Sequence, residues 1–213
     1  MVTVGWLMAM ASNSYAGTCT PAALGEQTVS LQGVTGLVVD GVDAKLEVVG
    51  ADGSDLRATG AACGDGAAIK LARRGTVVYA SVKGKGLDEV SLTLTVPKAL
   101  PALTVHGHTG PVVVRGVAAP VAVVSSDGPV ELSDVKSVRI AYGTGPVVIE
   151  RVSAGVVVDH LTGSLQAKAI GSDVIADAVT GEVVVDDVAG DLAVRETTGS
   201  VRQTNVRGQV ALP

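Results

Sequence analysis

The chain has 213 residues, 47% of them hydrophobic but only 2% aromatic, with 41 Val, 27 Gly and no Phe. Sixteen Lys and Arg against 21 Asp and Glu leave a net charge of −5, so the chain is too apolar for disorder and lacks the basic excess of a nucleic-acid-binding face. Val and Gly form helices poorly, which argues against a helical bundle and for strands joined by tight turns.

Residues 1–16, MVTVGWLMAMASNSYA, carry no charged side chain and end in Ser14-Tyr15-Ala16, with small residues where signal peptidase requires them. The segment reads as a secretory signal cleaved before Gly17, although its start lacks the usual Lys or Arg. A membrane anchor needs about 20 apolar residues, and Ser12, Asn13 and Ser14 interrupt the run too early. The expected location is therefore periplasmic, cell-surface or extracellular. In an exported chain the lone pair Cys19 and Cys63 predicts one disulfide, tying an N-terminal tail to the turn Ala62-Cys63-Gly64-Asp65-Gly66.

Residues 17–100 are the less regular part. Leu37, Val39, Ala44, Leu46 and Val48 share the spacing of the later repeats, and Val90–Val96 alternates apolar and polar residues. Between them, 55–89 diverges and holds Cys63 and Arg73-Arg74. The section is expected to cap the open end of whatever the repeats build. No Pro- or Ser-rich linker separates it, so 17–213 is expected to be one domain.

From Leu103 the sequence repeats itself. Gly110, Gly128, Gly145, Gly163, Gly181 and Gly199 are spaced 18, 17, 18, 18 and 18 residues apart, the short step being a deletion at Lys136-Ser137. Seven residues before each glycine stands Leu103, Val121, Val138, Val156, Val174 or Leu192, and Val210 opens another turn. Further aliphatic columns are Val105, Val123, Ile140, Val158, Ala176 and Val194, then Val112, Val130, Val147, Leu165, Val183 and Val201, then Val117, Val135, Val152, Ile170, Val188 and Val206. The runs alternate with the period of a strand, and glycine in the turns reaches positive φ at no steric cost. An 18-residue unit cannot close a core alone, but stacked units can. The reading is an all-β fold: a single β-solenoid, right-handed or flattened, of six rungs and about 30 Å at ~4.8 Å per rung. Hexapeptide spacing fails, because inward positions fall at offsets 0, 2, 9, 11 and 14. The calcium-binding nonapeptide fails for want of a Gly-Gly-x-Gly-x-Asp run.

The stretch Gly181–Arg195, followed by Thr198-Gly-Ser-Val201 and Val206-Arg-Gly-Gln-Val210, resembles the bacterial putative-adhesin β-solenoid family, a domain of unknown function with Ser-Gly-Asp-Val repeats; Leu94-Thr-Val-Pro97 ahead of the repeats is also typical of it. The resemblance covers roughly residues 30–213 and implies the fold together with an adhesin-like role at the cell envelope or surface. The chain departs from that pattern where the family's Asp follows the turn glycine, carrying Pro111, Pro129, Pro146, Ser164, Glu182 and Ser200 instead.

Candidate chemistry is sparse. His106-Gly107-His108 would place two imidazoles on one face of a strand, where they could begin a metal site, but His160 lies three rungs away and no metal or cofactor is expected. Asp134, Glu150, Arg151, Lys168, Asp186 and Asp187 fall at one turn column with alternating signs, which fits cross-rung ion pairs better than a catalytic groove. Only Tyr79 and Tyr142 remain after cleavage as sugar-stacking rings, and the Thr column (Thr109, Thr144, Thr162, Thr180, Thr198) sits beside the turn glycines. The expected function is a non-catalytic, exported, adhesin-like binding protein; the alternative is a carbohydrate-active β-helix enzyme, a polysaccharide lyase or hydrolase. The partner would be an envelope or surface protein, a glycan or a second copy, with no nucleic acid. The expected interaction face is Ala122, Val124, Ala141, Val157, Ile175 and Ala193, apolar at outward strand positions, whereas the opposite face shows Arg115, Glu131, Glu150, Lys168 and Asp186.

Overall fold

A computed structural model describes residues 19–213; the expected signal segment 1–16 lies outside them. The described chain contains strands and no helix. The first six are β1 (Ala22–Ala23), β2 (Gln27–Ser30), β3 (Gly36–Asp40), β4 (Lys45–Ala51), β5 (Asp55–Arg74) and β6 (Val77–Pro97). The repeats supply β7 (Leu103–Thr109), β8 (Val112–Arg115), β9 (Pro120–Asp127), β10 (Val130–Val135), β11 (Ser137–Thr144), β12 (Val147–Val152) and β13 (Val156–Thr162). They continue as β14 (Leu165–Ile170), β15 (Val174–Val179), β16 (Val183–Val188), β17 (Leu192–Arg195), β18 (Val201–Val206) and β19 (Val210–Ala211).

Each repeat forms one coil of two strands, and each strand pairs in parallel with its counterpart one coil away. One side runs β3, β7, β9, β11, β13, β15, β17, β19, and the other runs β4, β8, β10, β12, β14, β16, β18. The fold is a two-sided β-solenoid of about six regular coils. Register follows the aliphatic columns: Val147 pairs with Leu165 and Leu165 with Val183, all at 2% exposure or less. The core is thus a set of aliphatic ladders of Val, Leu and Ile between two sheets, which stacking alone keeps from water.

Backbone stacking explains the glycine column better than φ does. Gly110, Gly128, Gly145 and Gly163 are left-handed or nearly so, at φ between 104° and 152°. Gly181 and Gly199 are not, yet a Cβ on either would lie 2.3 Å and 2.1 Å from the carbonyl oxygen of the glycine one coil earlier. The turns pack against each other too closely for any side chain.

Two further columns hold positive φ without glycine. Ser125, Tyr142, His160, Ala178 and Glu196 form one; Asp134, Arg151, Ala169, Asp187 and Asn205 form the other. A left-handed residue turns the strand, so the residue after it points inward again. Strict alternation therefore fails at both corners, which has consequences for the histidines below.

The N-terminal section caps the rod, by a route the sequence does not announce. β3 and β4 build the second coil in space. β5 then runs out and back as a hairpin with β6. β6 lies parallel to both β3 and β4 and forms the first coil. β5 covers its outer edge antiparallel, and β1 and β2 cover part of β5. Residues 98–102 then cross the second coil to reach β7 in the third, with Lys98 N donating to Ala51 O and Leu37 N to Ala102 O. The Cys19–Cys63 disulfide forms as expected and fastens the N-terminal strand to β5.

Candidate binding surface

On the side of the rod built by β9, β11, β13 and β15, the first outward position of each strand forms a row down the rod: Ala122, Arg139, Val157 and Ile175, paired in that order. Between Thr104 and Val157 the surface dips into an apolar groove of about 480 Å³, lined by Pro120, Ala122, Ser137, Arg139, Gly155 and Val157 among others. Its floor crosses the corner where the 17-residue repeat loses a residue. Ile175 lies below it and is 39% exposed.

The expected face is present but narrower than the sequence reading makes it. Ala122, Val124, Val157 and Ala193 are half-buried and Ile175 is exposed, whereas Ala141 is 4% exposed and offers no surface. Its methyl group sits between the larger Val124 and Asp159 of the flanking coils. Arg139 stands inside the row, and Asp159, Asp177 and Arg195 occupy the neighbouring outward row, so the apolar residues do not merge into one uninterrupted patch. The opposite side is less uniformly charged than expected, because Val113, Val148 and Val184 alternate there with Glu131 and Gln166.

The two histidines do not share a face. Gly107 is left-handed at φ 56°, so His106 stays outside, 3.3 Å from Asp40 Oδ1, while His108 turns into the coil at 1% exposure. Neither ring nitrogen of His108 has a hydrogen-bond partner, nor has the hydroxyl of Ser126 next to it in the ladder. Burial in this apolar interior holds the His108 pKa below its ordinary value. Among the described residues no group of three His, Cys, Asp or Glu is placed to hold a metal ion. The signal for an inward residue 108 was in the sequence: Val117 and its column already sit three residues after the preceding inward position.

The charged residues fall in two adjacent columns, Asp134, Arg151 and Asp187 in one and Glu150, Lys168 and Asp186 in the other, joined by ion pairs mostly between coils. Arg151 grips Asp134 at 2.8 Å and also Glu150 at 2.8 Å; Lys168 lies 3.9 Å from Asp186, and Arg207 3.7 Å from Asp187. The Arg151 hydrogen bonds hold the Asp134 carboxyl below its usual range, and Thr204 and Asn205 do the same for Asp186. A carboxylate locked in its charged form by a guanidinium is poorly suited to deliver a proton. Tyr142 is 60% exposed and stacks on His160 at 5.1 Å, and Tyr79 lies beneath Arg74. A cavity of about 560 Å³ opens beside the 98–102 crossover and is lined by Leu31, Val34, Leu100 and the uncharged Ser30, Gln32 and Ser54.

Solved structures similar to this chain carry different names, as cell adhesion, adhesin and lipid binding proteins. A putative cell adhesion protein from Clostridium sporogenes is 11% identical over 89% of this chain and all of its own, at a TM-score of 0.49. A putative adhesin from Parabacteroides merdae is 10% identical over 88% of this chain and 96% of its own, at 0.38. A putative lipid binding protein from Parabacteroides distasonis is 13% identical over 92% and 98%, at 0.37. No protein-family model matches the chain, and no curated protein does. Likeness at this level brings no ligand or partner to the chain.

Proposed function

We propose that the chain is a non-catalytic, exported β-solenoid that works at the cell envelope or surface by presenting the groove side of its rod to a partner. The observation that carries this reading is the row Ala122, Arg139, Val157 and Ile175 with the groove across it. Outward strand positions in water normally carry Thr, Lys, Arg or Glu, whereas here Ala122, Val157 and Ile175 stand along the row beside an apolar groove, the kind of surface that takes a partner. One arginine among aliphatic residues also has the composition of an interface centre. The Cys19–Cys63 disulfide supports export, since such bonds persist in oxidising compartments.

The test is the double variant Val157→Lys with Ile175→Lys, both at outward positions that leave the interior ladders intact. Binding to a purified envelope fraction and self-association by sedimentation are measured beside circular dichroism. At least a tenfold loss of one of these in a folded variant is expected. A folded variant that retains both in full assigns binding to another surface.

A further inference from the structure

The basic residues of this protein are not spread evenly. Residues 66–87 hold Lys70, Arg73, Arg74, Lys83 and Lys85 and no Asp or Glu. Five of the 16 basic side chains thus fall in one segment, and the rest of the chain has a net charge of −10. In the coils, Arg115, Arg151, Lys168, Arg202 and Arg207 each pair with a carboxylate, whereas Lys136, Arg139 and Arg195 stand singly among the described residues. Among the described residues none of the five in the segment makes such a pair.

The segment is the outer arm of the β5–β6 hairpin. Its inner face packs on the rod: Ile69 opposes Val82 and Leu71 opposes Ala80, with Ile69, Val82 and Ala80 buried. Its outer face carries Lys70 and Arg74 on β5 and Lys83 on β6, all exposed, and Arg74 lies 5.2 Å above the Tyr79 ring. The free edge of β5 is the second observation. β2 covers β5 over Asp55–Ala58, and β1 covers Ala61–Ala62. Beyond Cys63 no strand among the described residues pairs with that edge, and alternate N–H and C=O groups as far as Arg74 face away from β6.

An open edge is a template for another strand. Lys and Arg along it repel the same edge of a second copy, which is how edges are kept from aggregating. That guard is selective for sign: it excludes a basic strand and attracts an acidic one. A membrane or a polyanion would use the charges but leave the backbone edge unused.

We propose that the β5 edge from Ala68 to Arg74 accepts an extended acidic segment of a partner protein as an added strand, with Lys70, Arg74 and Lys83 on the outer face neutralising its carboxylates. The backbone ladder gives the pairing and the basic side chains give the choice of partner. This site lies at the capped end of the rod and does not depend on the groove.

The test uses the full chain and three probes: a blocked peptide of alternating Val and Glu, the same peptide with two residues replaced by Pro at unchanged charge, and vesicles rich in phosphatidylglycerol. Fluorescence anisotropy reads binding, and hydrogen exchange reads the amides of Ala68–Arg74. The alternating peptide is expected to bind at least tenfold more tightly than the Pro-containing one and to slow exchange at those amides. Its affinity should fall with salt and at least tenfold in the variant Lys70→Glu with Arg74→Glu. Equal binding of the two peptides, or binding without slowed exchange, reduces the site to a charge patch and overturns the proposal. Vesicle binding without preference for the alternating peptide, or no binding at all, overturns it as well.

Discussion

A neutral imidazole is the form of His108 that the coil interior accommodates, because burial penalises its charged form by more than the nearby Ala44 and Pro111 backbone groups and the Asp43 charge favour it. Burial lowers its folded pKa below the ordinary value of 6.5. As pH falls below that value the unfolded chain gains a proton that the folded chain refuses, so unfolding becomes easier. The melting temperature should be flat from about pH 8 to 7 and decline below about pH 6.5. His108→Leu should remove that decline and raise stability near pH 5.5, since an apolar side chain has no polar atoms to leave unpaired. Calorimetry of both proteins across this range checks it, and identical slopes would sink the idea. Asp134 and Asp186, held below the carboxylate range, titrate beneath the window. The aliphatic columns were legible residue by residue, because burial leaves a period. The inward turn of His108 escapes period-2 reasoning, which takes no account of a left-handed Gly107. Ala141 faces outward without being exposed, because larger neighbours stand on both sides of it.

At the scale of elements, the cap is held by one covalent bond and a long hairpin. Cys19 and Cys63 are 44 residues apart, and closing such a loop contributes roughly 4 kcal/mol on the chain-entropy account. Cys63→Ser should lower the melting temperature by on the order of 10 °C in a domain of this size. An unchanged melting temperature would show that β1 and β2 hold without the bond. The pairing itself was legible from cysteine arithmetic. The β5–β6 hairpin was not: a bent β6 that serves two sheets at once produces an apolar pattern interrupted over Lys83–Glu89, which reads as irregular chain. The repeats came through clearly because each strand sees the same neighbours above and below, whereas the cap strands each see different ones.

Over the whole molecule the two ends are unlike. The first coil lies under β5, while among the described residues β18 and β19 pair on one side only and their side chains are exposed or half-buried. Stability in stacked repeats is close to a sum of nearest-neighbour terms, so opening should begin where a neighbour is missing. Amides of Val201–Val206 and Val210–Ala211 should exchange well before those of β7 and β8, with loss of protection advancing from that end. Exchange as fast in Leu103–Arg115 would contradict a gradient along the rod.

The order of the coils in space differs from their order along the chain, and this bears on how the protein assembles as it is made. The strands that become the second coil leave the ribosome before either of the coils that flank them. β3 waits for Val77 on one side and Leu103 on the other, a delay of about 40 and 65 residues, or seconds at roughly 5–20 residues per second. During that interval its aliphatic ladder has no partner and both of its edges are bare. Growth of the remaining coils is then simple accretion, each finding a finished surface. The slow and vulnerable step of biogenesis is therefore the closing of the cap around the second coil, and a holding factor in the compartment where the chain matures would act on residues 36–97 rather than on the repeats.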